Sequence, residues 1–362
     1  MARPAHRPFI QRHRSGRGTS ANEAGRYEGR TAEAFDDGWT AEPDAPLRTT
    51  VSEEPARTII TRNDSPYVGF DRSINPYRGC EHGCSYCFAR PTHAYLGLSP
   101  GLDFETRLFA KPNAAALLRR ELSNPRYDVR PIAIGTNTDP YQPIERTHRV
   151  MREVLEVLAE HRHPVSILTK SDLVLRDLDL IAPMAKQGLA RVMLSITTLD
   201  GALARAMEPR APRPDLRLEA VRVLSMAGVP TGTVHGPMIP GLSDHELERL
   251  MDAAAVRGAT YAAYTVLRLP QEVASLFEEW LETHAPDAKA RVLRHLRDMN
   301  GGRTYDAAWA RAEEPRTIYA QLIRQRFAQA YKRLGFTEMP SLDCTQFRVP
   351  GRAEQPELFA SA

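Results

Sequence analysis

Three of the chain's four cysteines, Cys80, Cys84 and Cys87, fall in the run RGCEHGCSYC, spaced C-x3-C-x2-C. That puts three soft sulfur donors on one short loop, and Gly79 and Gly83 let its backbone wrap tightly around a bound group. Thiolate sulfur is the ligand that zinc and iron-sulfur clusters select. A structural zinc site is closed and needs a fourth protein ligand, for which His82, His93 and Cys344 are the candidates. A 4Fe-4S cluster held by three thiolates leaves one iron open, which is useful only if a cofactor or substrate binds it. Bunched thiols in a long, cysteine-poor chain point to metal rather than to a secreted disulfide framework.

A loop with this task needs a rigid support. Short apolar runs alternate with helical patterns from about residue 65 to 270, the pattern of repeated βα units and a parallel sheet. Six strands are expected: one leading into INPYRGC, then PIAIGT (131–136), VSILTK (165–170), ARVMLSI (190–196), PTGTVHGPMI (230–239) and YAAYTVLRL (261–269). Each strand end feeds a loop on the same rim, and in curled parallel sheets that carboxyl rim carries the chemistry. Between strands, ERTHRVMREVLEVLAEH reads as one helix with Val150, Val154, Leu155 and Leu158 on a face. Ser243 and Glu246 read as a capping box ahead of Leu247, Leu250, Met251 and Ala254. After residue 270 only helical patterns follow. DAKARVLRHLRDMNGG stops at a glycine pair, and TIYAQLIRQRFAQAYKRLG sets Tyr319, Leu322, Ile323, Phe327, Tyr331 and Leu334 on one face, with Arg324, Arg326, Lys332 and Arg333 on the outer one.

The 362 residues suffice for a large core with accessory pieces, and a net charge of +3 gives no whole-chain argument for nucleic acid. No apolar leader and no run of the roughly 18 apolar residues a membrane span needs is present, so a soluble cytoplasmic protein without membrane contact is expected. The first 60 residues lack apolar periodicity and read as a disordered charged arm. Its first half is rich in Arg and its second half in acids. The expected organisation is therefore an arm (1–60), a core domain (61–275), a helical extension (276–340) and a tail (341–362).

The spacing C-x3-C-x2-C with Tyr86 just before the last cysteine, followed by βα repeats, resembles the signature of the radical S-adenosylmethionine (SAM) superfamily. The resemblance implies a partial (β/α)6 TIM-like barrel. It implies that Cys80, Cys84 and Cys87 hold a 4Fe-4S cluster whose fourth iron is chelated by SAM, and that an electron donor of flavodoxin or ferredoxin type reduces the cluster. SAM is then cleaved to a 5′-deoxyadenosyl radical that abstracts hydrogen from a substrate. The runs GTNTDPYQPIER and LTK, with a Ser in the fourth strand, are similar to the spore photoproduct lyase branch. By that resemblance Thr138 and Asp139 lie near the amino end of SAM, Lys170 near its carboxylate and Ser195 near the ribose. Where that branch has a hydrogen-donating cysteine this chain has Thr136, whose O–H bond is too strong for the role, so the lyase substrate is not carried over. The pattern GRGTSANEAGRYE, DDGW and the cysteine loop looks like a bacterial subgroup of unknown reaction. His235, Asn75, Tyr141 and Arg268 sit at strand ends without an assigned role. In the tail, Gln355, Leu358 and Phe359 resemble the short peptide that docks on the bacterial sliding clamp, which would tie the enzyme to DNA. The competing function is a non-catalytic iron-sulfur or zinc module that binds a partner; it would have no use for polar strand ends at 138–139, 170 and 195.

Overall fold

The structure, a computed structural model, describes residues 16–22, 25–27, 47–64, 69–307 and 317–351. Strands β1 (Thr50–Glu53), β4 (Tyr77–Arg78) and β5 (Arg107–Ala110) form a small sheet in the order β1-β5-β4. The main sheet takes β2 (Thr61–Arg62), β3 (Arg72–Ile74), β6 (Ile132–Ile134), β7 (Val165–Thr169), β8 (Ala190–Ser195), β9 (Thr231–Met238) and β10 (Tyr261–Val266). These pair in chain order, all parallel except β2, which lies antiparallel on the edge beside β3. All six expected strands are present. Strands that pair in chain order need every crossover to turn the same way, which puts the helices on one face.

The burial pattern confirms this two-sidedness. On β7 and β8 buried residues alternate with half-buried ones. The register aligns Ile132 and Ile134 with Val165 and Ile167, and these with Ala190 and Val192, all fully buried in the main core. Against this face pack α1 (Ala114–Leu122), α2 (Val150–Glu160), α3 (Leu178–Lys186), α5 (Pro214–Met226) and α6 (Leu247–Val256). Each fully buried Leu, Ile or Val there is worth about 1.5–3 kcal/mol. The other face presents Ser166, Leu168, Met193, Val234 and Ala263, all half-buried. A parallel sheet is normally covered on both faces, so one left accessible to solvent is free to receive a ligand.

Four expectations need correction. The helix expected over 145–161 is split: Arg149 has φ 55°, separating a short turn at Glu145–His148 from α2. The Ser243 and Glu246 capping box does not form, because Ser243 Oγ accepts from Ile239 N–H (3.0 Å) and Glu246 accepts from the hydroxyl of Thr198. The basic face of α9 (Ile318–Arg333) is in part an interhelical contact, since Arg326 pairs with Glu248 at 2.5 Å and Arg333 with Asp252 at 2.8 Å, while Arg324 and Lys332 are exposed. The described parts of the expected arm are packed: Arg17, Thr19 and Ala21 are buried, and Val51 and Ile59 join the main core.

Helices α7 (Val273–His284) and α8 (Pro286–Met299) form a second core with Phe277, Trp280, Leu281, Val292 and Leu296, which reaches Cys84 and Tyr86. Beyond α9 the chain runs back across the amino ends of the strands. Thr337 N–H donates to Thr260 O (2.8 Å), Asp343 N–H to Gly188 O (3.0 Å) and Arg348 N–H to His161 O (2.9 Å), while the Arg191 guanidinium grips Pro340 O. Among the described residues no helix is long and apolar enough to cross a membrane.

Candidate active site

The cysteine loop leaves β4 at the carboxyl rim. Gly79 (φ 73°) and Gly83 (φ 67°) both adopt the left-handed conformation, and a Cβ on Gly79 would lie 2.9 Å from Phe104 O. Arg90, fully buried, holds the loop from behind. Its guanidinium donates to Cys84 O (2.8 Å), Gly83 O (3.2 Å), Gly101 O (2.9 Å) and Pro100 O (3.1 Å), and it forms a 2.6 Å ion pair with the equally buried Glu105.

Cys80 and Cys84 are buried, Cys87 is half-buried, and all three are free thiols. Burial, with the charge of Asp139, pushes Cys80 well above its ordinary range; burial and Glu208 push Cys84 up to about 12; burial raises Cys87. These thiols become thiolates only if a cation compensates them. Two further polar atoms of the loop, His82 Nε2 and Ser85 Oγ, are buried without a partner, each costing about 1–3 kcal/mol unless a bound group takes it up. Among the described residues no three His, Cys, Asp or Glu side chains are gathered around one point as a single ion requires. Three free thiols on one loop are a donor set that fits a group with several metal atoms, each taking one thiolate.

Lys170, just past the end of β7, and Ser195, the last residue of β8, meet. Lys170 Nζ donates to Ser195 Oγ (2.7 Å), which donates to Gly236 O (3.1 Å). The ammonium also lies 5.8 Å from the centre of the Tyr86 ring and 3.9 Å from Glu208. Tyr86, Lys170 and Ser195 are therefore brought together beside the thiols. Glu208 connects them: its carboxylate, fully buried, accepts from the Tyr86 hydroxyl, from Thr197 Oγ1 (3.0 Å) and from the Arg217 guanidinium. Burial works against its charge, but Arg217 and Lys170 outweigh that and hold its pKa at about 2. One carboxylate between two cations leaves a net positive charge at Lys170.

Thr138 and Asp139 lie on the neighbouring rim loop but are used internally. Thr138 Oγ1 donates to Tyr77 O (3.1 Å). Asp139 accepts from Thr169 Oγ1 (2.6 Å), Lys170 N–H (2.7 Å) and Tyr141 N–H (2.9 Å), and lies 3.4 Å from His82 Nδ1. Burial again opposes the charge, yet His82 and these donors hold Asp139 at about 2. Its oxygens are fully engaged in tying the cysteine loop to β7, which leaves it a brace. Asn75 braces the same loop, accepting from Asn137 N–H (3.1 Å).

Other expected positions lie elsewhere. His235 shares the helix-facing side with Leu194 and Tyr264, and Cys344 lies in the segment crossing the amino rim, the far end of the sheet from the other three thiols. Gln355, Leu358 and Phe359 are outside the described residues. Sequence reasoning missed Glu208, Arg217, Arg90 and Glu105. For Arg217 a signal existed: it falls on the apolar stripe of α5 with Val221 and Leu224, where an unpaired charge would be expensive.

A model described as the radical SAM superfamily matches residues 74–254, half of the chain. An uncharacterized protein of Mycobacterium tuberculosis is 36% identical over 261 residues, covering 72% of this chain and 73% of its own. An uncharacterized protein of Methanocaldococcus jannaschii is 28% identical over 226 residues, 62% of this chain and 81% of its own. Relatives thus extend beyond the bacterial subgroup expected from the sequence. Among solved structures, spore photoproduct lyase complexed with dinucleoside spore photoproduct superposes with a TM-score of 0.57 at 16% identity, over 83% of this chain and 86% of that one, which shows a shared fold. From the matched family model and the coverage of the mycobacterial relative, the chain belongs to the radical SAM superfamily.

Proposed function

We propose that this chain is a radical SAM enzyme in which Cys80, Cys84 and Cys87 hold a 4Fe-4S cluster and the solvent-accessible face of a partial (β/α)6 barrel receives SAM and substrate. The observation that carries the reading is the contact of Lys170 with Ser195 beside Tyr86, on the rim that also bears the three thiols. When bound, the reduced cluster and SAM together supply a 5′-deoxyadenosyl radical for hydrogen abstraction.

The chain's own residues bind and orient. Lys170, its charge left over from the Glu208 and Arg217 pair, offers an ammonium to the SAM carboxylate, and Ser195 offers a hydroxyl to the ribose. Tyr86 packs beneath them. Thr138 and Asp139 fix the loop that approaches the amino end of SAM rather than contacting it through their side chains. Thr136, which Asn75 Nδ2 approaches at 3.5 Å, stands where a hydrogen-donating cysteine would be needed for spore photoproduct chemistry, so the reaction on substrate differs from that of the lyase. An external one-electron donor and a substrate complete the system.

The test is anaerobic reconstitution, with iron and sulfide analysis and a dithionite-driven assay for 5′-deoxyadenosine. Wild type should bind iron and sulfide in equal amounts and cleave SAM; Cys84→Ala should lose both properties. Lys170→Met should keep the iron but require roughly 10–100-fold more SAM, the loss of one charge-assisted hydrogen bond. A colourless, zinc-loaded wild type would overturn the reading.

A further inference from the structure

A segment from the chain's amino-terminal part lies directly against the cysteine loop. Gly18 lies so close to Gly83, between Cys80 and Cys84, that a Cβ on it would stand 1.6 Å from Gly83 O. Gly18 N–H donates to Glu105 Oε2 (2.9 Å) and Thr19 Oγ1 to Glu105 Oε1 (3.2 Å), the same carboxylate that pairs with Arg90. Arg17 donates to Glu105 O (3.1 Å), Leu47 O (2.6 Å) and Thr49 Oγ1 (3.1 Å), and Thr49 in turn donates to Glu81 of the cysteine loop (2.7 Å). Further along, Ala21 O accepts from Leu102 N–H (3.1 Å), and Asn22 and Asp103 exchange two hydrogen bonds. On its other side Gly18, Thr19 and Ser20 face Leu276 and Trp280 of α7 across a shallow concavity.

Residues 17–22 contain neither helix nor strand, and they are held by hydrogen bonds to Glu105, Leu47, Thr49, Leu102 and Asp103. A segment secured in this way opens at lower cost than the core beneath it. We propose that residues 17–22 form a seal over the Arg90 side of the cysteine loop, which when seated keeps solvent oxidants and chelators from reaching the buried Cys80 and Cys84 from that side, while half-buried Cys87 stays reachable from the open face. Arg17, Gly18 and Thr19 act on the metal site as positioning residues, through Glu105 and Arg90.

The test uses the full chain without metal. The protein is treated with Ellman's reagent at one pH, and labelling of each cysteine is followed by peptide mass spectrometry, with Cys344 on the opposite rim as internal reference. Arg17→Ala removes three hydrogen bonds, and Gly18→Ala places a methyl group where Gly83 O stands. Both should raise the labelling rates of Cys80 and Cys84 relative to Cys344 by roughly tenfold or more, and Arg17→Lys, which keeps a donor, should fall between Arg17→Ala and wild type. An unchanged ratio in both variants would overturn the seal. So would a rise of Cys344 in step with the others, which marks global unfolding. Since thiol access is read without metal, this outcome is independent of whether the loop carries an iron-sulfur cluster.

Discussion

Glu208 shows how far the loss of one side chain can reach. It joins Tyr86 on the cysteine loop, Thr197 past β8, Arg217 on α5 and Lys170 past β7. Glu208→Gln would leave Arg217 buried without a counter-charge, and breaking such a pair costs about 3–5 kcal/mol. Urea denaturation of metal-free protein should therefore show a clearly lowered midpoint. Acid acts through a different set. His163 and His235 are buried, and burial lowers both pKa values to about 4. Between pH 6.5 and about 4 the unfolded chain binds a proton at each that the folded chain refuses, so stability falls across that window by up to about 3 kcal/mol per histidine. Asp139 and Glu208, both at about 2, contribute stability above the ordinary carboxylate range, which is lost as pH falls from about 4.5 towards 2. His235→Gln should reduce the fall in stability between pH 6.5 and 4 to the part due to His163 and leave the lower limb in place. Lys170 and Ser195 were legible in the sequence because each ends an apolar strand. Glu208 was not, because it lies in an irregular run after α4 (Gly201–Met207), and besides Arg217 and Thr197 its partners are Lys170 and Tyr86, which lie far off in the sequence.

Strands were legible from their apolar runs, and all six appeared where expected, because burial against helices on one face demands them. Local polar signals were less faithful. The single periodic stretch over 145–161 hides a break at Arg149, where Glu145 is drawn inward to accept from Tyr77 and Arg176 and the chain must turn before α2 begins. The Ser243 hydroxyl is spent on the exit of β9 instead of on a cap. The segment after α9 carries no regular pattern at all, and its role depends on where it lies. Phe347 packs between Tyr127, His161 and His163, with ring centres 5.7–6.3 Å apart. Truncating this half-buried ring, Phe347→Ala, should cost about 2 kcal/mol. It should also free the neighbouring Cys344 to react faster with a thiol reagent, while Cys80, Cys84 and Cys87 keep their wild-type rates.

The molecule as a whole is a parallel sheet with helices on one side and an accessible face on the other, its two rims serving different ends. At the carboxyl rim, strand ends converge on the cysteine loop; at the amino rim, residues 337–348 cross the starts of β10, β8 and β7. Those crossing residues are made last of the described chain, after every strand they tie. On the ribosome, the carbonyls of Thr260, Gly188 and His161 would stay bound to water until the final stretch emerged, and contacts of such long sequence separation form late. Formation of the cysteine loop and closure of the opposite rim would then be separate events in time, with the carboxyl rim assembled before the sheet is belted shut.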